Sequence, residues 1–598
     1  MTPSLALFVA LFAHPHPVVK PAAQYTLRVD SADLSGWSVE IRLRTVSDTF
    51  RLAMAAHPEY DDRYWRYVRD FAVEPSSATF TKVDSAVWQV VAPRGPVTVR
   101  YRIVLPPAPP GPRGAWRPFL TPSGGLVGGP HAFMYLLGAE RLPVAVVLEL
   151  PASWESATGL RDAFRSGDQG KRWGSRRSWG YAAPDAFSLV DSPILVGRFR
   201  EWRLVEGGIP HRVIYWPLPD AAAFDTVAFV SSVQQTVHQA IALFGHAPYR
   251  DYTFLFQDGA YGALEHRNSV TIGAPSKDLA GDPHALLMET AHEFFHTWNL
   301  MAMQPSEYRD VDYRTQPPVS TLWFSEGVTM FYADLLLRRA GMQLHDSTRI
   351  AHLERLISSY QNNPAYARFS AEQVSRVAYN SEPGALGDYS PSTHLQGELI
   401  GTMLDLIIRD ATHGRRSMDD VMRLLFNGTA AIDGRVVEQA VETACTCDVT
   451  PFFETHVRNA AAIDFDRYLG LIGLKTSVTR APAVSNGEPE RDLRIYGWQA
   501  DGDSGVKLIV TSPASAWGRA GLHSRDRLIA MNGAPVKTSS ELRTKLLSLQ
   551  MGDTIRVEVQ RSDGPFAASV RVAGFERATV RLEGTPNAIG QAWLRANP

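Results

Sequence analysis

The sequence has very little cysteine, since Cys445 and Cys447 are its only two cysteines. Two thiols are too few for a structural zinc site or for a disulfide-built extracellular module. A single intervening residue is poor spacing for a relaxed disulfide, so we predict that both cysteines are unpaired. This composition fits the cytosol or a bacterial periplasm.

The sequence also lacks an excess of either charge and a long apolar run. Its 60 basic and 62 acidic residues give a net charge of −2, which argues against nucleic acid or an anionic membrane as a partner. No uninterrupted apolar stretch is long enough to cross a bilayer. We therefore expect no integral membrane segment beyond a possible signal peptide.

The N-terminus carries an apolar run at residues 5–13, the length of a signal-peptide core. The basic residues that usually precede such a core are missing, because no Lys or Arg comes before Lys20. Export to a periplasm or to the medium is our expectation, and a cytoplasmic location is the alternative.

The pattern of apolar residues changes along the 598-residue chain. Alternating segments, such as residues 37–43 and 97–104, predict an antiparallel β domain. Helical periodicity then dominates, including residues 286–303 and 395–410. We predict a multidomain α+β protein with these segments: a possible signal peptide at 1–23, a β-sandwich-like domain at 24–223, a catalytic domain with a helical part at 224–480, a further domain at 490–575 and a tail at 576–598.

A metal-binding motif lies within the first of these helical segments. His292 and His296 are one helical turn apart, so both imidazoles can face one ion. Glu293 lies beside them, where it can reach a water molecule rather than the metal. The pattern also fits a helix with two core histidines, so a third ligand decides between the two interpretations.

The third ligand that we predict is Glu326, at the start of a second apolar helix. A buried carboxylate is costly unless it is paired or binds a metal. Catalytic zinc typically has three protein ligands and one open position. The sequence therefore predicts one Zn²⁺ per chain, bound by His292, His296 and Glu326, with Glu293 as the general base.

These motifs resemble those of the gluzincin metallopeptidases, and within them the glycyl aminopeptidase family. The residues that carry the resemblance are HEFFHTWN at 292–299 and LWFSEG at 322–327, with weaker agreement at 189–194 and 396–400. The resemblance implies a β domain, a thermolysin-like catalytic domain and a PDZ domain. It also implies peptide substrates with a small N-terminal residue, such as Gly or Ala.

Residues 262–266, GALEH, resemble the strand with which related aminopeptidases hold the free α-amine of a substrate. By this resemblance Glu265 is the amine anchor, and Gly262 and Ala263 contribute to substrate binding. A fixed carboxylate there would place the first peptide bond at the metal. The alternative is an edge-strand glutamate with no role in binding.

The sequence departs from the family at the residue that stabilises the oxyanion. His394 stands where family members commonly have a tyrosine. Either His394 donates a hydrogen bond to the tetrahedral intermediate, or Tyr389 does so from the preceding loop. We favour His394.

Residues 506–559 resemble a bacterial PDZ domain, with the turn segments SPASA at 512–516 and MNG at 531–533. PDZ domains bind an extended peptide by its C-terminal carboxylate. A peptide C-terminus is therefore a possible partner, and a purely structural domain is the alternative. Three functions follow: a zinc aminopeptidase, a zinc endopeptidase with a structural Glu265, or a peptide-binding scaffold with little catalysis.

Overall fold

The structure is a computed structural model. It describes residues 21–596 except 57–62, 108–110, 164–168, 174–175, 310–311, 343–344, 380, 429–430 and 500–504. The predicted signal peptide lies mostly outside the described residues. The α+β fold class is confirmed, with a β-rich N-terminal domain, a helical catalytic region and a C-terminal β domain.

The N-terminal domain is built around one large sheet and two smaller ones. Alternate residues of its strands form a buried core. The pairing is antiparallel, as predicted, except that Ala23–Asp30 runs parallel to Val144–Pro151. The large sheet has the strand order Arg161–Asp162, Arg176–Ala183, Val144–Pro151, Ala23–Asp30, Asp33–Thr45, Gly95–Val104 and Val68–Glu74, with Lys171–Trp173 beside Arg176–Ala183. The second sheet has the order Glu155–Thr158, Ile194–Gly197, Gly124–Val127 and Phe119–Thr121. The third has the order Tyr135–Leu136, Thr49–Ala53, Val87–Val91 and Thr79–Asp84.

The sheet of the catalytic domain begins earlier than the predicted boundary at residue 223. Arg200–Glu206 and Ile209–Trp216 form a hairpin, and the second of these strands pairs with Tyr252–Gln257 of the catalytic domain. The sheet order is Arg200–Glu206, Ile209–Trp216, Tyr252–Gln257, Ser269–Gly273 and Ala263–Glu265. The hairpin was predicted to lie in the preceding domain because its alternating pattern continues that of the upstream strands.

Helices pack around this sheet and enclose one large apolar core. Two of them carry the predicted ligands: we name His284–Phe295 the metal helix and Thr329–Arg339, with the preceding π-helical turn Trp323–Val328, the carboxylate helix. The other helices of this region are Thr226–Phe244, Ser276–Ala280, Asp346–Gln361, Ala371–Ala378, Thr393–Ala411, Met418–Gly428, Gly434–Cys445, Thr450–Phe452 and Phe465–Leu469.

The predicted helix over residues 286–303 is shorter in the structure. The metal helix ends at Phe295, and a π-helical turn follows over Thr297–Ala302. Inside that turn Leu300 has a φ of 154°, which is not helical. The periodicity of apolar residues continues through this kink because both sides of it are buried, so the pattern alone does not reveal the break.

The C-terminal β domain contains a sheet of Ile495–Trp498, Val506–Val510, Arg527–Met531, Thr554–Arg561 and Gly564–Arg571, with helices Ala516–Arg519 and Ser539–Ser548. The residues after it do not form a separate tail. Glu576–Gly584 pairs with Leu474–Pro482 of the catalytic region. The helix Ala588–Leu594 then buries Trp593 in the catalytic core.

The prediction that the two cysteines are unpaired is wrong, because Cys445 and Cys447 form a disulfide. The helix Gly434–Cys445 ends there, and Thr446 adopts the left-handed conformation with φ 54°. This turn brings the two Cα atoms to 5.1 Å from each other. No helix in the described part of the chain combines the length and apolarity needed to cross a membrane.

Candidate metal centre and substrate cleft

The metal helix and the carboxylate helix bring the three predicted ligands together. The Nε2 atoms of His292 and His296 lie 3.0 Å apart. Oε2 of Glu326 lies 3.5 Å from the first and 3.3 Å from the second. All three residues are buried, and one ligand atom from each falls within 4.8 Å of the others. Two imidazole nitrogens and one carboxylate oxygen converging on one point fit a zinc ion.

Asn299 fixes the orientation of this cluster. Its carbonyl oxygen lies 3.0 Å from Nδ1 of His296, so Nδ1 carries a proton and Nε2 is the ring nitrogen that faces the ligand cluster. Its side-chain amide donates to the carbonyl of Phe324 and to the hydroxyl of Thr329, both at 3.1 Å. Asn299 thereby connects the end of the metal helix to the carboxylate helix. It lies inside the HEFFHTWN motif, but its position there did not reveal this role.

Burial and neighbouring charges act in opposite directions on the pKa values of the three predicted ligands. Burial lowers the pKa of His292 to about 4, which keeps its imidazole neutral. Burial also acts to lower the pKa of His296, but the charge of Glu326 outweighs it and raises this pKa to about 10. Although burial opposes the ionisation of Glu326, the charge of His296 holds its pKa well below the ordinary value. The carboxylate is therefore ionised and available as a ligand.

Glu293 points into the same site from the metal helix. Its Oε2 atom is buried and has no hydrogen-bond partner among the described protein atoms. Burial, reinforced by the charge of Glu265, raises the pKa of Glu293 well above its ordinary value. A carboxylate with an unused oxygen and a raised pKa beside a metal site can accept a proton from water.

His394 reaches the cluster from the helix Thr393–Ala411. Its Nε2 atom lies 3.3 Å from Oε2 of Glu326. The helices can approach this closely because Gly327 and Gly397 face each other, and a Cβ on Gly327 would lie only 2.3 Å from Cα of Gly397. Tyr389 packs with its ring 5.5 Å from that of Phe369 and lines a cavity together with His394. Of the two predicted oxyanion donors, His394 is the one in contact with a predicted ligand.

Glu265 ends the short edge strand Ala263–Glu265, which we name the amine strand. The strand pairs with Ser269–Gly273 in the catalytic sheet. Burial raises the pKa of Glu265, and its charge in turn acts to raise the pKa of His296. Gly262 directly precedes the strand with φ 68°, and a Cβ there would lie 2.8 Å from the ring of Trp116. The structure therefore brings Glu265 near the metal ligands and leaves no room for a side chain at Gly262.

Known protein families match three parts of the chain. The model of the M61 glycyl aminopeptidase matches residues 285–399, which contain the predicted ligands. The model of the peptidase M61 N-terminal domain matches residues 24–198, and a PDZ domain model matches residues 470–572. The chain belongs to the M61 glycyl aminopeptidase family. It is thus a metallopeptidase with a C-terminal PDZ domain.

One solved structure shares the fold of this M61 peptidase, and a second is similar over part of it. An aminopeptidase N family protein from Idiomarina loihiensis has 19% sequence identity, a TM-score of 0.74, and covers 96% of this chain and 100% of its own. An M1 zinc metallopeptidase from Deinococcus radiodurans has 14% identity and a TM-score of 0.45, over 71% of this chain and 90% of its own.

One curated protein matches a short part of the chain. HhoB of Synechocystis sp., which carries a serine protease name, is 31% identical over 91 residues. The match covers 15% of this chain and 22% of that relative. The M61 peptidase therefore spans under a quarter of the length of this curated relative.

The N-terminal domain of the M61 peptidase contributes to the site through Asp191. Its Oδ1 atom lies 3.3 Å from Nδ1 of His266, and its Oδ2 atom accepts the backbone N–H of Arg267 at 3.2 Å. Although burial opposes the ionisation of Asp191, the hydrogen bond with His266 lowers its pKa. Asp191 lies in the matched segment 189–194, so the resemblance marked this position without giving its contact.

One cavity lies beside Glu265, and a larger cleft lies against the metal motif. The cavity on the side of Glu265 has a volume of about 130 Å³ and includes Asp191, Phe187, Leu300 and Tyr308 in its wall. The cleft against the metal motif has a volume of about 1170 Å³. Its wall includes His292, Glu293 and His394, and also Glu289, whose pKa is raised by burial. The space beside Glu265 is therefore much smaller than the cleft beside the metal motif.

Asp334, two helical turns after Glu326, pairs with an arginine. Its Oδ2 atom lies 2.8 Å from Nε of Arg338 and 3.9 Å from Nε of Arg349. Both guanidinium groups are buried with it. This cluster stabilises the helices beneath the cleft.

Proposed function

We propose that this protein is a zinc-dependent aminopeptidase that removes the N-terminal residue of peptides. The observation that carries the proposal is the position of Glu265, whose charge acts on His296 from the amine strand. A carboxylate close enough to act on a predicted ligand can also pair with the ammonium group of a substrate bound at that site. Such a pair fixes the first peptide bond at the metal, which is what an exopeptidase requires.

The side chains of the site divide the chemistry between them. His292, His296 and Glu326 would hold one zinc ion, and the convergence of their donor atoms supports this assignment. When bound, zinc supplies Lewis acidity that activates water and polarises the substrate carbonyl. Glu293 accepts the proton of the attacking water and transfers it to the departing amine. Nε2 of His394 donates a hydrogen bond to the developing oxyanion.

The unequal sizes of the two cavities support a preference for a small N-terminal residue. With its ammonium at Glu265, the first residue of the substrate extends into the cavity of about 130 Å³. The rest of the peptide extends into the cleft of about 1170 Å³. A side chain of Gly or Ala fits this arrangement, in agreement with the name of the matched family.

A panel of peptides with free and acetylated N-termini tests the proposal. We expect cleavage of free Gly and Ala peptides, loss of cleavage on acetylation, and loss with a chelator that zinc restores. Retained cleavage of acetylated peptides would instead identify an endopeptidase. A protein that holds no stoichiometric zinc and cleaves nothing would be a peptide-binding scaffold.

The variant Glu265→Gln tests directly whether Glu265 binds the free amine of the substrate. A hydrogen bond to a charged group is worth about 1.5–3 kcal/mol, so we expect kcat/KM for free peptides to fall by about 10–100-fold. Glu372→Gln is the control, because Glu372 forms a surface ion pair with Arg376 at 3.0 Å. Equal activity of both variants would remove Glu265 as the amine anchor.

We also propose that the protein is exported. The disulfide between Cys445 and Cys447 supports an oxidising compartment. N-terminal sequencing of the protein from its native host tests this proposal. A mature protein that starts near residue 20 is expected, and retention of Met1 in a cytosolic fraction would contradict it.

A further inference from the structure

The PDZ domain contacts the catalytic domain at the loop that leads to His394. We name residues 381–392 the interdomain loop. The carboxylate of Asp388 accepts a hydrogen bond from Nδ1 of His523 at 2.7 Å and another from the backbone N–H of Ser524 at 2.6 Å. The side chain of Asp388 is only 14% exposed. This is a two-donor contact between two domains, in which Asp388 is half-buried and His523 is exposed.

Further contacts hold the start of the same loop. Nζ of Lys507 lies 2.8 Å from Oε2 of Glu382. The guanidinium of Arg525 donates to the carbonyls of Glu382 and Pro383 at 3.1 and 3.3 Å. The interdomain loop is therefore held by the PDZ domain at both Glu382 and Asp388.

An apolar contact accompanies these polar ones. Val506, Leu508 and Val510 point into the core of the PDZ domain, so Ile509 lies on the opposite face of the sheet. Ile509 is nevertheless only 2% exposed. It lines a cavity of about 350 Å³ together with Pro383 and Gly384. The loop covers an apolar face that a free PDZ domain would expose.

The same cavity connects the PDZ domain with the catalytic site, because it is also lined by Tyr496 of the PDZ domain and by His394 of the catalytic domain. His394 follows Asp388 by six residues and is the second residue of the helix Thr393–Ala411. Backbone N–H groups in a first helical turn have no partner within the helix. The preceding loop must therefore help to set the position of this turn.

The remaining contacts of the loop make it a short, tethered connection. The backbone N–H of Ser392 donates to the hydroxyl of Tyr366 at 3.0 Å, and the carbonyl of Ser390 accepts from the amide of Asn363 at 3.0 Å. The Ser392 hydroxyl caps the helix by accepting from the N–H of Leu395. Only five residues, 389–393, separate Asp388 from His394, and two of them also contact the catalytic domain.

We propose that the PDZ domain is a working part of the catalytic site, in which Asp388 is a positioning residue that holds His394 against the metal ligands. The proposal rests on the proposed function, since His394 acts there on the substrate. A positioning contact of this kind differs from a purely structural contact in its measurable effect. A structural contact affects stability, whereas a positioning contact affects kcat through His394.

A double-mutant cycle tests the proposal in the full-length, zinc-loaded protein. A misplacement of about 1 Å can cost up to about 10²-fold in rate, so we expect Asp388→Ala to lower kcat about tenfold with KM changed less than about twofold. Zinc content should not change. In a His394→Phe background, Asp388→Ala should cause no further loss, because the two residues act through one group. A full extra loss in that background, or an unchanged kcat in the single variant, would overturn the proposal.

Three further variants separate the interface from the rest of the PDZ domain. Lys507→Glu places two negative charges together and should lower kcat, and adding Glu382→Lys should restore it. Glu558→Gln is the control, since Glu558 pairs with Arg556 within the PDZ domain at 3.0 Å. Failure of the charge exchange to restore kcat would count against the proposal.

Hydrogen exchange distinguishes this proposal from the proposed function. If the native protein cleaves no peptide, the proposed function fails, but exchange can still be measured. Asp388→Ala should then increase the exchange of residues 389–397 and leave that of the metal helix unchanged. Unchanged exchange of residues 389–397 would overturn the positioning role independently of activity.

Discussion

Nε2 of His394 lies 3.3 Å from Oε2 of Glu326, the oxygen that also faces both histidines of the metal motif. Three imidazole nitrogens thus surround one carboxylate oxygen. The first comes from the metal helix, the second from His296 directly after that helix, and the third from a helix about a hundred residues later in the chain. His394 is consequently close enough to act on a substrate carbonyl held at the metal.

His394→Phe should lower kcat much more than Tyr389→Phe. Removing an oxyanion donor typically lowers the rate by about 10²–10³, whereas Tyr389 packs against Phe369. Steady-state kinetics with a free alanyl peptide measures both effects. A larger loss for Tyr389→Phe would assign the donor role to the loop tyrosine.

Glu293→Gln should retain zinc and lose nearly all turnover. The amide keeps the shape of the side chain but cannot accept the proton of the attacking water. Metal analysis checks that zinc is retained, and single-turnover kinetics on the same sample checks that turnover is lost. Substantial residual activity would show that another group is the base.

Asn299→Ala should weaken zinc binding. The amide of Asn299 bridges to Phe324 and Thr329 at 3.1 Å, and loss of such a supporting contact typically costs about 10–100-fold in metal affinity. Titration with a chelator-buffered zinc series measures the dissociation constant. Unchanged affinity would mean that packing alone holds the two helices together.

His211 should make the folded state sensitive to acid. Burial lowers its pKa from 6.5 to about 4 in the folded protein. Between these pH values the unfolded state binds the extra proton and the folded state does not, so stability is lost as pH falls from 6.5 to 4. One pKa unit corresponds to about 1.4 kcal/mol, which gives a loss of about 3 kcal/mol.

Thermal unfolding of wild type and His211→Gln across this pH range measures the effect. The variant is expected to start with a lower Tm, because the ring of His211 contacts Tyr249 at 2.9 Å. Its Tm should then fall less steeply with acid. Parallel slopes would show that His211 does not contribute to acid sensitivity.

Much of the metal site follows from local sequence. The spacing of His292 and His296 puts both on one helical face in any helix that forms there. A glutamate at position 326 in an apolar helix must be compensated wherever it is buried. The matched motifs then place the chain in its family. These features depend on periodicity and burial cost, which a sequence expresses directly.

The remaining features depend on contacts between distant segments, which local periodicity does not encode. The Cys445–Cys447 disulfide requires the left-handed turn at Thr446. The return of Glu576–Gly584 to the catalytic domain requires a partner strand about a hundred residues earlier. Similarly, only packing of Gly327 against Gly397 brings His394 to Glu326. The sequence by itself thus determined the predicted metal ligands and the family, whereas the tertiary structure decided which distant side chains, His394 and Asp388 among them, lie around that candidate site.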